Sequence, residues 1–116
     1  MPNSGPADLT PLELEVLIAL GGGPLHGYGI VLDIEERSDA FGDLRSGTLY
    51  LALRRLKGDG LVEACEPPRE EQGGDARRKF VRLTESGRTA AAEKLAELRH
   101  TLDVAASREL IGPERA

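Results

Sequence analysis

The stretch SGTLYLALRRLKGDGLVE, residues 46–63, constrains this chain more than any other. Wound at 3.6 residues per turn, it places Leu49, Ala52, Leu53 and Leu56 on one side and Tyr50, Leu51, Arg54 and Arg55 on the other. Ser46 stands where an N-cap belongs, and Asp59-Gly60 closes the helix with a glycine suited to the left-handed position past the end. LVEAC follows at once and reads as a strand. One face of the helix is fit for a core. The other carries no acid, although the chain holds 20 acidic residues against 15 basic ones and a net charge of −5.

The flanking segments supply the rest of a small domain. TPLELEVLIAL predicts a helix capped by Thr10, with Pro11 at its first position and Glu13 completing a capping box. Leu12, Val16, Leu17 and Leu20 form its apolar stripe, and Gly21-Gly22-Gly23-Pro24 ends it. A second helix fits 26–38, with Ile30, Val31 and Ile34 inward and Asp33, Glu35 and Glu36 outward. The strands LVEAC (61–65) and RKFVRL (78–83) bracket a mixed-charge loop containing Pro67-Pro68 and Gly73-Gly74, which reads as a mobile hairpin loop. Thr84 then caps a long helix that runs to about Leu110 before Gly112-Pro113. Along it Ala91, Leu95, Leu98, Leu102 and Ala105 alternate spacings of four and three, the a/d pattern of a coiled-coil seam too short to stand alone.

Three helices, a two-stranded β-hairpin and a further long helix make a mainly α fold, the winged helix-turn-helix arrangement plus a C-terminal helix. There the third helix enters the DNA major groove and the hairpin lies along the backbone or minor groove. The expected organisation is a flexible tail over 1–8, a winged-helix DNA-binding domain over 9–83, a dimerisation helix over 84–111 and a tail over 112–116.

Composition narrows the function. With no Trp, two Tyr and two Phe, stacking platforms for single-stranded nucleic acid are excluded. The single cysteine, Cys65, can form neither an internal disulfide nor a zinc site alone, and no apolar run reaches membrane-spanning length. A reducing, cytoplasmic setting with no membrane partner is therefore expected. Charge is unevenly placed: residues 45–82 carry nine bases and six acids, and the rest of the chain is strongly acidic. An acidic body with a basic segment stays soluble and still meets a polyanion on one side.

The segments LTPLELEVLIAL, PLHGYGI, SGTLYLALRRLKGDGLVE and RRKFVRLTESGR, in this order and spacing, resemble the PadR-like transcriptional regulators over about residues 9–110. The resemblance implies a winged-helix domain, a homodimer made by the C-terminal helix, and repression of nearby genes. The single C-terminal helix is similar to that of shorter members. Two positions depart from the family pattern: Leu51 stands where proline usually follows the tyrosine, and Phe80-Val81 stand where two tyrosines are common.

The expected DNA-binding residues are Ser46, Thr48, Tyr50, Leu51, Arg54 and Arg55 on the third helix and Arg77, Arg78 and Lys79 on the wing. Thr48 and Tyr50 offer hydroxyls to phosphates, Arg54 a guanidinium to phosphate or guanine, and Leu51 an apolar contact for thymine methyls. The first turn from Ser46 to Thr48 adds backbone N–H groups. The rival reading is a solvated face with Tyr50 folded over the core and the arginines paired to nearby acids. Ala91, Leu95, Leu98, Leu102 and Ala105 are the expected dimer seam. His26 reads as an N-cap, Tyr28 as a core or dimer-edge residue, and His100 as exposed.

No nucleophile–base pair, metal cluster or phosphate loop appears at workable spacing, so neither an enzyme nor a cofactor is expected. The expected partners are double-stranded DNA and a second copy of the chain. A small-molecule effector at the dimer interface is a further partner, because some members resembling this chain bind aromatic compounds between subunits. The alternative function is a winged-helix module that has lost DNA and binds protein.

Overall fold

The computed structural model describes residues 9–38, 46–74 and 77–112; the side chain of Ser46 lies outside that description, as do the expected tail over 1–8 and all but the first residue of the expected tail over 112–116. The order of elements is α1 (Pro11–Leu20), β1 (Leu25–His26), α2 (Gly27–Arg37), α3 (Ser46–Gly58), β2 (Val62–Cys65), β3 (Phe80–Leu83) and α4 (Glu85–Ser107). A single 3₁₀ turn, Arg69–Glu71, lies in the β2–β3 connection.

α1 begins as its sequence dictates. The Glu13 N–H donates to Thr10 Oγ1 at 3.1 Å, and the Thr10 N–H donates to Glu13 Oε1 at 3.0 Å. Both halves of the capping box are therefore present. The helix is buried more widely than one stripe: Leu14, Val16, Leu17, Ala19 and Leu20 are all covered, and Leu12 is only half-buried. A helix apolar nearly all round belongs inside a domain, and α1 packs against α2, α3, α4 and β3. Leu17 and Leu20 join Ile30 and Ile34 of α2 and Leu56 of α3 at the centre of the core. Arg37 straps α2 to α1, donating to Glu15 at 2.6 Å and to Asp33 at 2.8 Å. Desolvation opposes its charge, yet these hydrogen bonds outweigh it and the guanidinium pKa rises.

The sheet departs from the expected hairpin. It has three strands in the order β1-β3-β2, with Leu25 opposite Val81 and His26 opposite Phe80 on one edge of β3. On its other edge β3 pairs antiparallel with β2, placing Glu63 opposite Arg82 and Cys65 opposite Phe80. β1 is two residues long, too short for a period-2 pattern to announce it. It forms because β3 offers it an edge. Phe80 and Val81, the two departures on this strand, are both buried.

α4 enters the core by its first two turns, where Gly87, Ala90 and Ala91 are buried, and leaves it after them. The Thr84 side chain caps it by accepting the Gly87 N–H at 2.9 Å, and the same hydroxyl donates to the Gly60 carbonyl at 2.6 Å. The helix ends at Ser107, short of the expected Leu110. The Leu110 N–H reaches back to the Ala105 carbonyl and the Glu109 N–H to that of Ala106, with Glu109 at φ +61°. These are the two bonds of a Schellman turn, built with glutamate in the position glycine usually takes.

At Gly87 the backbone of α4 meets the Leu61 carbonyl so closely that an added Cβ would overlap that oxygen, with the Leu83 side chain only 3.1 Å away. Gly87→Ala should therefore lower unfolding stability by about 1–3 kcal/mol in denaturant titration; an unchanged midpoint would show that the junction relaxes freely.

Candidate nucleic-acid interface

α3 presents two unlike faces. Leu49, Ala52 and Leu56 are buried in the core. Tyr50 and Leu51 are each 63% exposed, so Tyr50 is not folded over the core. Thr48, Arg54 and Arg55 are exposed beside them. No acid lies in the first turn of α3.

The two arginines differ in their surroundings. Arg55 lies 3.5 Å from the carboxylate of Glu13, which is itself almost fully covered and also holds the α1 cap. That bond commits part of Arg55 to the protein's own scaffold, a partner the expected binding face did not include. Arg54, one position away and 100° around the helix, lines an open cleft instead.

That cleft, of about 550 Å³, runs between α3 and the root of the wing. Tyr50, Leu53, Arg54 and Lys57 form one wall, and Arg77, Arg78, Lys79 and Val81 the other, with His26, Gly27 and Tyr28 closing the end. Five of these residues are cationic and none is acidic, in a chain whose net charge is −5. The expected helix residues Tyr50 and Arg54 and the expected wing residues Arg77, Arg78 and Lys79 are thus brought together. Thr48 and Leu51 stand exposed outside the cleft lining.

Three cleft residues were missed as binding residues. Lys57 was legible, because positions 50, 54 and 57 keep the four-three spacing of one helix face. Tyr28 is 63% exposed rather than in the core. Ile30 and Ile34 are buried on α2, and a step of two residues turns the helix by 200°, which points Tyr28 away from them. His26 caps α2 as expected: its Nδ1 accepts the Gly29 N–H at 3.1 Å. Its position beside the wing was not legible, since it depends on β1 pairing with β3.

On α4, Leu95, Leu98 and Leu102 are 40%, 39% and 56% exposed, a spaced apolar stripe on the part of the helix beyond the core. Ala105 is half-buried near its end. Ala91, expected in the same seam, belongs to the chain's own core instead. The helix meets the body there, so that register position is already covered. His100 is exposed.

Among the described residues no group of histidine, cysteine and carboxylate side chains is placed to hold a metal ion, and no helix is long and apolar enough to cross a membrane. Cys65, at the end of β2, is a free, half-buried thiol. Burial raises its pKa, Glu63 and Glu66 raise it further, and Arg82 opposes them.

Comparison with known proteins places this geometry. The profile of the transcriptional regulator PadR-like family matches residues 16–93. The chain is 43% identical over 76 residues to an uncharacterised 37.1 kDa transposon protein of Streptomyces fradiae, covering 66% of this chain but only 19% of that relative's length. Among solved structures, a PadR family transcription regulator from Clostridium difficile matches at TM-score 0.72 and 28% identity, over 84% of this chain and 97% of that one. The PadR of Bacillus subtilis, in complex with operator DNA, matches at TM-score 0.61 and 26% identity, over 74% of this chain and 47% of that one.

Because its folded pKa is raised, the Cys65 thiol should be largely protonated at neutral pH and react more slowly with iodoacetamide than a small free thiol at pH 8. The rate should climb steadily as pH rises further. A rate at pH 7 above that of the free thiol would contradict the placement of Glu63 and Glu66 around it.

Proposed function

The chain belongs to the PadR-like family of transcriptional regulators, and from that premise we propose that it binds duplex DNA as a homodimer at a pseudo-palindromic operator and represses transcription there. The observation that carries this reading is the cleft between α3 and the wing, whose described lining holds five cations and no acid, on an otherwise acidic molecule. α3 lies in the major groove. Arg54 contacts a phosphate or a guanine edge, Tyr50 and Thr48 donate hydroxyls, Leu51 meets thymine methyls, and Arg77, Arg78 and Lys79 follow the backbone. The first turn of α3 at Ser46 adds backbone donors. That the Bacillus subtilis relative was solved in complex with operator DNA supports duplex DNA as the partner.

The dimer is formed by the α4 stripe of Leu95, Leu98 and Leu102, extended by Ala105. Two copies related by a twofold axis set their α3 helices roughly 34–36 Å apart, one turn of duplex, which is what a pseudo-palindrome requires. Arg55, tied to Glu13, holds α3 to α1 while its outer edge faces the DNA. A cytoplasmic setting fits a regulator of this kind, and a ligand seated between the two α4 helices would act by changing the spacing of the α3 pair.

Arg54→Ala should weaken binding to DNA from upstream of its own coding region by about 1–3 kcal/mol in fluorescence-anisotropy titration; affinity equal to wild type would remove Arg54 from the interface. Leu98→Glu should convert dimers to monomers in light scattering, since a buried unpaired carboxylate cannot be accommodated in an apolar seam. A dimer that survives the change would place the interface elsewhere.

A further inference from the structure

The end of the cleft holds a feature that capping alone does not explain. His26 Nδ1 accepts the Gly29 N–H, so in the neutral ring the proton sits on Nε2. Arg78 Nη1, which can only donate, lies 3.2 Å from that Nε2. Two N–H groups thus converge on one point with no acceptor between them, and among the described residues no carboxylate pairs with Arg78. The ring is not free to turn away. It meets Phe80 edge-on at 5.1 Å and lies parallel to Tyr28 at 6.5 Å, and the antiparallel pairing of β1 with β3 sets His26 directly opposite Phe80.

An oxygen carrying negative charge is what this convergence lacks. It would accept from both donors at once, relieve their opposition, and sit in the cationic cleft across from Tyr50 and Arg54. We propose that His26 and Arg78 together grip one non-bridging phosphate oxygen of the DNA backbone, making His26 a binding residue as well as a helix cap. The proposal rests on the DNA-binding reading above and adds a residue to it. The strand of DNA that α3 engages would then pass with one phosphate over the junction of α2 and the wing. With Nδ1 accepting the Gly29 N–H, the ring can donate to the phosphate only through Nε2, so His26 contributes one hydrogen bond to the grip.

Two substitutions separate the grip from the cap. His26→Asn keeps a side-chain acceptor for the Gly29 N–H but is too short to present the second donor. His26→Asp caps at least as well and turns the site negative. Wild type, both variants, Arg78→Gln, Arg54→Ala and the double variant His26→Asn/Arg78→Gln are titrated against the upstream duplex and a scrambled duplex, with melting temperatures measured alongside. His26→Asn is expected to melt with wild type and to bind both duplexes about tenfold more weakly, since a phosphate contact carries no sequence information. His26→Asp is expected to melt at or above wild type and to bind more weakly still. The double variant is expected to lose less than the two single losses combined, because one oxygen serves both donors.

Wild-type affinity in His26→Asn and His26→Asp, with Arg54→Ala still impaired, would overturn the grip and leave the DNA-binding reading intact. Losses of affinity that merely follow losses of melting temperature would also overturn it, returning His26 to capping alone. Failure of the wild type to bind either duplex at low salt would overturn both readings together.

Discussion

The structure depends on a weld between the end of α3 and the start of α4. Thr84 holds it from two sides: its backbone N–H donates to the Leu61 carbonyl at 3.1 Å and its hydroxyl to the Gly60 carbonyl at 2.6 Å. Gly60 takes φ +76°, open to glycine at no steric penalty, and so turns the chain from α3 straight into β2. Gly87 lets α4 lie against that turn with nothing between the two backbones. The cationic face of α3 and the apolar stripe of α4 are thereby two ends of one rigid piece. In the proposed dimer, whatever fixes one α4 against another would also fix the separation of two α3 helices, and a small change at the seam would become a change of register on a duplex.

Electrostatics divides the molecule along the same line. Three of the five acids on α1 and α2 are occupied within the scaffold, Glu13 in the α1 cap and with Arg55, Glu15 and Asp33 with Arg37, while Glu35 and Glu36 stand exposed on α2. On the wing, Arg82 is bound to Glu63 across the sheet at 2.7 Å and is taken out of the basic set. Among the described residues, what remains on the cleft lining is cationic and none of it is acidic. Net charge told against a polyanionic partner. The arrangement of charge tells for one, because association responds to the local field of a cleft more than to the total.

Much of this was legible in the residues. The Thr10–Glu13 box, the Thr84 cap, the two faces of α3 and the stripe at Leu95, Leu98 and Leu102 all follow from local rules of spacing and capping, and each stands where those rules put it. What local rules could not reach was anything set by partners distant in sequence. β1 exists because β3 offers an edge, and with it come the seat of His26 against Phe80 and the closing of the cleft. Ala91 kept the heptad spacing yet was claimed by the core, because periodicity cannot say where a helix leaves its own domain. Arg55 read as outward, and a buried glutamate from α1 reached it. α4 stops before Leu110 because Glu109 adopts the left-handed conformation, a choice that residue type disfavours and only the Schellman bonds reveal.

The central claim is that five cations per protomer in one cleft meet the phosphates of duplex DNA. It is tested most directly by titrating the protein with its upstream duplex across a series of salt concentrations. Each phosphate neutralised adds about −0.9 to the slope of log affinity against log salt. A dimer using most of its cleft cations should therefore give a slope on the order of −5 to −9. Binding that is absent at 50 mM salt, or whose affinity does not change with salt, would contradict the account.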